Sequence, residues 1–63
     1  MQIRKLRKSA GLTQAQLAEK VGVSQATVSE WERGDYLPGA QKLPALADAL
    51  GCTISDLYNT NTA

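Results

Sequence analysis

Histidine and phenylalanine are missing from this chain, cysteine and tryptophan occur once each, and there are only two prolines. With no histidine and Cys52 as the lone thiol, a structural zinc site has no ligand set and no internal disulfide can form. The same lack removes the commonest general base. No carboxylate pair sits at a glycine-rich turn and no glycine loop is shaped to cradle phosphate, so neither catalysis nor a cofactor is expected. No apolar run approaches the roughly 20 residues that a bilayer-spanning helix needs. The Met1–Ala10 segment is charged, with no apolar stretch behind it, and does not read as a secretory signal. A cytoplasmic setting is therefore expected, with Cys52 as a small filler of the core.

What is present fits one small helical domain. Sixty-three residues leave no room for a second. Net charge is only +1, but its distribution is lopsided. Residues 1–33 carry Arg4, Lys5, Arg7, Lys8, Lys20 and Arg33 against Glu19, Glu30 and Glu32, or +3. Residues 34–63 carry Lys42 against Asp35, Asp48 and Asp56, or −2. A basic end of this kind steers a protein toward phosphate, although a solvated helix face would look the same by charge alone.

Punctuation along the chain predicts five helices and no strand. The first covers about 2–9, with Ile3, Leu6 and Ala10 on one side and Gly11 ending it. Leu12 follows as a buried plug. Thr13 caps the second helix, with Gln16 placed to close a capping box, and Leu17, Ala18 and Val21 form its inward stripe. Gly22 ends that helix and Ser24 caps a third, running to about Arg33 and closed by Gly34. After a loop through Pro38 and Gly39, a fourth helix covers about 42–50. Pro44 sits in its first turn, and Leu43, Leu46, Ala47 and Leu50 repeat at helical spacing. Thr53 and Asp56 open a short fifth helix through about Tyr58, which lays Ile54 and Leu57 on the core. The polar tail after it is expected to fray.

Residues 14–33 hold the chemistry. Two helices around a turn at Gly22, the second opening on small polar residues, make a helix-turn-helix unit whose second helix enters the major groove of DNA. Trp31 falls in the inward pattern and is assigned to the core rather than to a base stack.

The string GLTQAQLAEKVGVSQATVSEWERG, followed by LPALADALGCTISDLY, resembles the phage repressor and Cro class of helix-turn-helix domains, the XRE type of transcription regulator. The likeness spans about Ile3 to Tyr58. It rests on the Leu-Thr-Gln opening, the Ala18 and Gly22 pair, the Trp-Glu-x-Gly ending and the Leu-Gly terminus of the fourth helix. It implies an all-α, compact five-helix bundle, like a lambda-repressor DNA-binding domain, that binds duplex DNA as a two-fold dimer. By resemblance the base-facing positions are Gln25, Ala26 and Glu30, with Thr27 and Ser29 nearby. The resemblance also pairs Arg7 with Glu32 as a structural ion pair joining two helices.

Side-chain chemistry then gives each position a task. Gln25 can donate and accept together, which suits the N6 and N7 edge of adenine. Ala26 offers a methyl to the thymine methyl, and Glu30 an acceptor to the cytosine amine. Glu30 has an alternative reading as a surface charge pairing with Arg33. Gln14, at the start of the second helix, is placed to donate to phosphate where free amides already favour an anion. Arg33, Tyr36 and Lys42 are further phosphate candidates. Their loop is poor in positive charge, so a modest salt slope is expected, on the order of four phosphates per monomer or fewer.

The reading is therefore a sequence-specific regulator of double-stranded DNA, most simply a repressor. It is expected to be a weak homodimer, or a monomer that pairs on a two-fold operator. By family analogy the self-association surface comprises Leu57, Tyr58 and the preceding loop. The alternative is a protein–protein interaction module, of antitoxin or coactivator type, built on the same fold.

Overall fold

The computed structural model describes residues 1–58; the tail of residues 59–63, expected to fray, lies outside the described residues. Five helices follow one another: α1 (Ile3–Ser9), α2 (Gln14–Val21), α3 (Gln25–Arg33), α4 (Leu43–Leu50) and α5 (Ile54–Tyr58). Among the described residues none is long and apolar enough to cross a membrane.

Local chemistry sets the helix boundaries. At the head of α2, Thr13 Oγ1 accepts from the Gln16 amide at 3.1 Å and Gln16 Oε1 accepts from the Thr13 amide at 2.9 Å. This reciprocal arrangement satisfies two amides that would otherwise lack partners. The Thr53 and Asp56 pair repeats it before α5, both bonds at 3.1 Å. Ser24 Oγ accepts from the Thr27 amide at 3.2 Å and opens α3. Entry to α4 differs: Lys42 caps it without a side-chain bond, and Pro44 occupies the first turn.

One core joins all five helices. It gathers Ile3 of α1, Leu17, Ala18 and Val21 of α2, and Val28 and Trp31 of α3. Leu43, Leu46, Ala47 and Leu50 of α4 and Leu57 of α5 complete it. α2 packs against both α3 and α4, α1 lies on α3, and α4 carries α5. Leu6, Leu12, Val23 and Cys52 are half-buried against this core. Burial, with the charge of Asp56, pushes the Cys52 thiol above its ordinary value and keeps it protonated. The Gln2 amide donates to the Leu57 carbonyl at 3.0 Å, tying the start of the chain to α5.

Four expected placements differ. Ala10 is exposed because the chain leaves α1 at Ser9, and Leu12 is half-buried rather than a sealed plug. Ile54 was expected on the core but is 39% exposed, since it opens α5 at the rim while Leu57 one turn later is fully buried. That burial also removes Leu57 from any self-association surface.

Candidate nucleic-acid interface

The angle between α2 and α3 is made by three residues. Gly22 takes a left-handed φ of +83°, a conformation costing a side-chain-bearing residue about 1–2 kcal/mol. The amides of Gly22 and Val23 both reach back to the Ala18 carbonyl, at 2.8 and 3.0 Å. Ser24 then starts α3 at once. Trp31 is 7% exposed and Val28 fully buried, so this face of α3 is committed to the core.

The opposite face of α3 carries Ala26, Ser29 and Glu30, with Gln25 at its edge and Thr27 turned toward the Trp31 side. Gln25 and Ala26 are exposed on its first turn. Thr27 is half-buried, and its hydroxyl lies 3.0 Å from Ser24 Oγ, inside the cap. Ser29 is half-buried and accepts from Arg33 Nη1 at 3.2 Å. Glu30 is half-buried one turn beyond Ala26. Its alternative reading as a partner of Arg33 does not hold, because Arg33 Nε binds Asp35 Oδ2 at 3.0 Å. Thr27 and Ser29 thus have hydroxyls already engaged, and Gln25 Nε2 meets Gln14 Oε1 at 3.5 Å, so Glu30 is the polar candidate whose side chain has no bond among the described residues.

A polar network runs from α1 into this face. Arg7 Nε donates to Glu32 Oε2 at 2.6 Å, Nη2 to Oε1 at 3.3 Å, and Nη1 to the Leu12 carbonyl at 2.8 Å. The two side chains are only 11% and 5% exposed. Burial works to raise the Glu32 carboxyl, but hydrogen bonds from Arg7 and Gln14 and the charges of Arg7 and Arg4 outweigh it and hold the group below its ordinary value. Gln14 Nε2 donates to Glu32 Oε1 at 3.1 Å, and Gln14 Oε1 accepts from Gln25 Nε2 at 3.5 Å. Gln14, placed by sequence as a phosphate donor, is therefore also a link between the ion pair and α3.

Above this network lies a surface cleft of about 280 Å³ lined by Arg4, Arg7, Gln14, Ser29, Glu32 and Arg33. Arg7 balances Glu32 on its floor and Arg33 is paired with Asp35, so Arg4 gives the rim its net positive charge. Arg4 was not singled out from the sequence. Its only signal there is its place one helical turn before Arg7, which brings both onto one side of α1. Tyr36 stands 64% exposed beyond the end of α3, and Lys42 is half-buried at the start of α4. Tyr58 is 54% exposed on α5, beside Ile54.

Comparison with known proteins gives this geometry a context. A family model described as helix-turn-helix matches residues 3–57. Repressor protein C2 of Salmonella phage P22 is 41% identical over 66 residues, covering 97% of this chain and 31% of that protein. The immunity repressor protein of Bacillus phage phi105 is 40% identical over 60 residues, covering 95% of this chain and 42% of that protein. The chain thus spans less than half the length of either curated relative. Among solved structures, the crystal structure of the P22 c2 repressor in complex with a synthetic operator superposes with a TM-score of 0.86 at 39% identity. That match covers 94% of this chain and 89% of the crystallised one.

Proposed function

The chain belongs to the helix-turn-helix family, and from that premise we propose that it is a transcriptional repressor domain reading operator DNA in the major groove with α3. The observation that carries the reading is the pair of exposed residues Gln25 and Ala26 on the Ser24-capped first turn of α3, while Val28 and Trp31 on the other side fix that helix to the core. Gln25 is matched to adenine and Ala26 to a thymine methyl, with Glu30 one turn on facing a cytosine amine. Thr27 and Ser29 support them from within the helix.

Backbone contact falls to Gln14 at the head of α2, to Arg33, Tyr36 and Lys42, and to Arg4 on the rim of the cleft. Arg33 exchanges Asp35 for phosphate on binding. An exposed ion pair of this kind contributes little and is readily given up. Two copies sit on half-sites one helical turn, ~34 Å, apart. Tyr58 and Ile54 of α5 offer an exposed apolar surface for that pairing. Function here is recognition rather than catalysis, in the cytoplasm, and residues 1–58 act as one recognition unit.

Selection of bound duplexes from a random pool tests the reading. The expected outcome is one enriched, two-fold symmetric sequence bound far more tightly than the starting pool. Equal affinity for selected and random duplexes would sink it.

A further inference from the structure

We infer that Glu32 sets which base Gln25 selects, acting through the amide of Gln14. The inference rests on the DNA-reading function proposed above and adds a positioning residue that touches no DNA itself. An ionised carboxylate offers only acceptors, whereas a glutamine amide has a donor end and an acceptor end that can exchange by rotating about the last bond. Gln14 faces Glu32 Oε1 at 3.1 Å. Only its NH2 end can make that contact, so its carbonyl oxygen must point the other way. There it meets Gln25 Nε2 at 3.5 Å, and the choice passes to the next amide: Gln25 turns its NH2 toward Gln14.

One Nε2 proton of Gln25 is thereby directed inward. The second lies beside Oε1, and together they present an N–H and a C=O in one fixed order. That order matches the N7 acceptor and N6 donor of adenine and mismatches when reversed. Arg7 anchors the start of the relay by holding Glu32 with two hydrogen bonds, at 2.6 and 3.3 Å. Gln14 Nε2 keeps its second proton for phosphate, so one amide serves register and base choice together. The last link is the longest, which makes specificity the most sensitive readout of the relay.

The experiment uses the full chain and four duplexes that differ only at the adenine pair whose preference disappears in Gln25→Ala. Gln14→Met removes both amide atoms at nearly constant length and leaves Arg7 and Glu32 paired. Glu32→Gln keeps the shape and a carbonyl for Arg7 but lets the Gln14 amide turn either way. Thermal melts accompany every binding series. Both variants are expected to reduce the preference for adenine at that one pair by roughly tenfold, to leave discrimination elsewhere in the site intact, and to be non-additive when combined. A common factor across all four duplexes would overturn the relay, because a phosphate contact by Gln14 and a purely structural ion pair both act on every sequence alike. Loss of preference in Gln14→Met but not in folded Glu32→Gln would remove Glu32 from it. Should Glu32→Gln fail to fold, Arg7→Met/Glu32→Leu takes its place, and an adenine preference that survives in that folded variant overturns the relay. Wild-type protein that bound all duplexes equally would instead defeat the DNA-reading function itself.

Discussion

The two halves of this molecule use the same small helices for different ends. Residues 1–33 carry net charge +3 and place their polar side chains in a connected set, from Arg7 through Glu32 and Gln14 to Gln25. Residues 34–63 carry −2. In their described part, α4 turns Leu43, Leu46, Ala47 and Leu50 inward and lacks a side-chain cap. Tyr36, Leu37, Ile54 and Tyr58 are left exposed. The first half holds polar atoms in fixed positions; the second supplies apolar area on which α2 can rest. A reading surface on a domain this small depends on both, since α2 touches α3 on one side and α4 on the other.

The largest expected effect comes from breaking the apolar half. Leu46 is fully buried on α4, the helix that packs against α2, so Leu46→Ala should destabilise the domain by about 3 kcal/mol or more. Denaturant melts give the loss. The fraction that remains folded should keep its choice of DNA, which separates support from recognition.

Next comes the polar half. Arg7→Met removes the guanidinium donors of the Glu32 carboxylate and the Leu12 carbonyl, leaving Glu32 only the Gln14 amide, and should cost about 2–3 kcal/mol, below the range for fully buried pairs because Arg7 keeps an edge in water. Arg7→Met/Glu32→Leu should recover most of that loss. The pH dependence follows from the Glu32 carboxyl lying below its ordinary value of 4.5 in the folded state. Its contribution is fully present above 4.5 and disappears as the pH falls through the lower, folded value. Melts of wild type and Arg7→Met should therefore converge on acidification below that window. A gap that stayed constant from neutral pH down to acid would show the pair to be superficial.

Sequence and structure agree where the physics is local. Thr13 with Gln16, Ser24, Gly22 and Thr53 with Asp56 each act over a few residues, and each marks a helix boundary where it was expected. The α5 stripe was misjudged because a five-residue helix is too short for its period to say which of Ile54 and Leu57 lies deeper. Arg33 was offered Glu30 at helical spacing, yet the left-handed turn at Gly34, φ +81°, folds Asp35 back to it instead. The Gln14 to Glu32 bond spans 18 residues and depends on how α2 crosses α3. No short-range pattern carries it, and the Arg7 to Glu32 pairing was foreseen only through family resemblance. The outward face of α3 was legible in residue type; the relay behind it was not.

The smallest stability effect belongs to the exposed apolar residues. Leu37→Lys and Tyr58→Ser should each change folding stability by no more than about 0.5 kcal/mol. If α5 forms the pairing surface, Tyr58→Ser should weaken cooperative binding to two half-sites while leaving single half-site binding unchanged, as seen in gel-shift titrations. Leu37→Lys should strengthen binding to every duplex alike, by adding a cation to the weakly basic loop, and should steepen the salt dependence by close to one phosphate.

The proposed function divides α3 into an outer face that reads bases and an inner face that only holds position. The most direct measurement compares the affinity ratio for the selected over a scrambled duplex in wild type and in Gln25→Ala/Glu30→Ala, with melts recorded in parallel. The ratio is predicted to collapse toward one in the variant at unchanged melting temperature. A ratio that survives both substitutions in a fully folded protein would show that Gln25 and Glu30 do not read the bases.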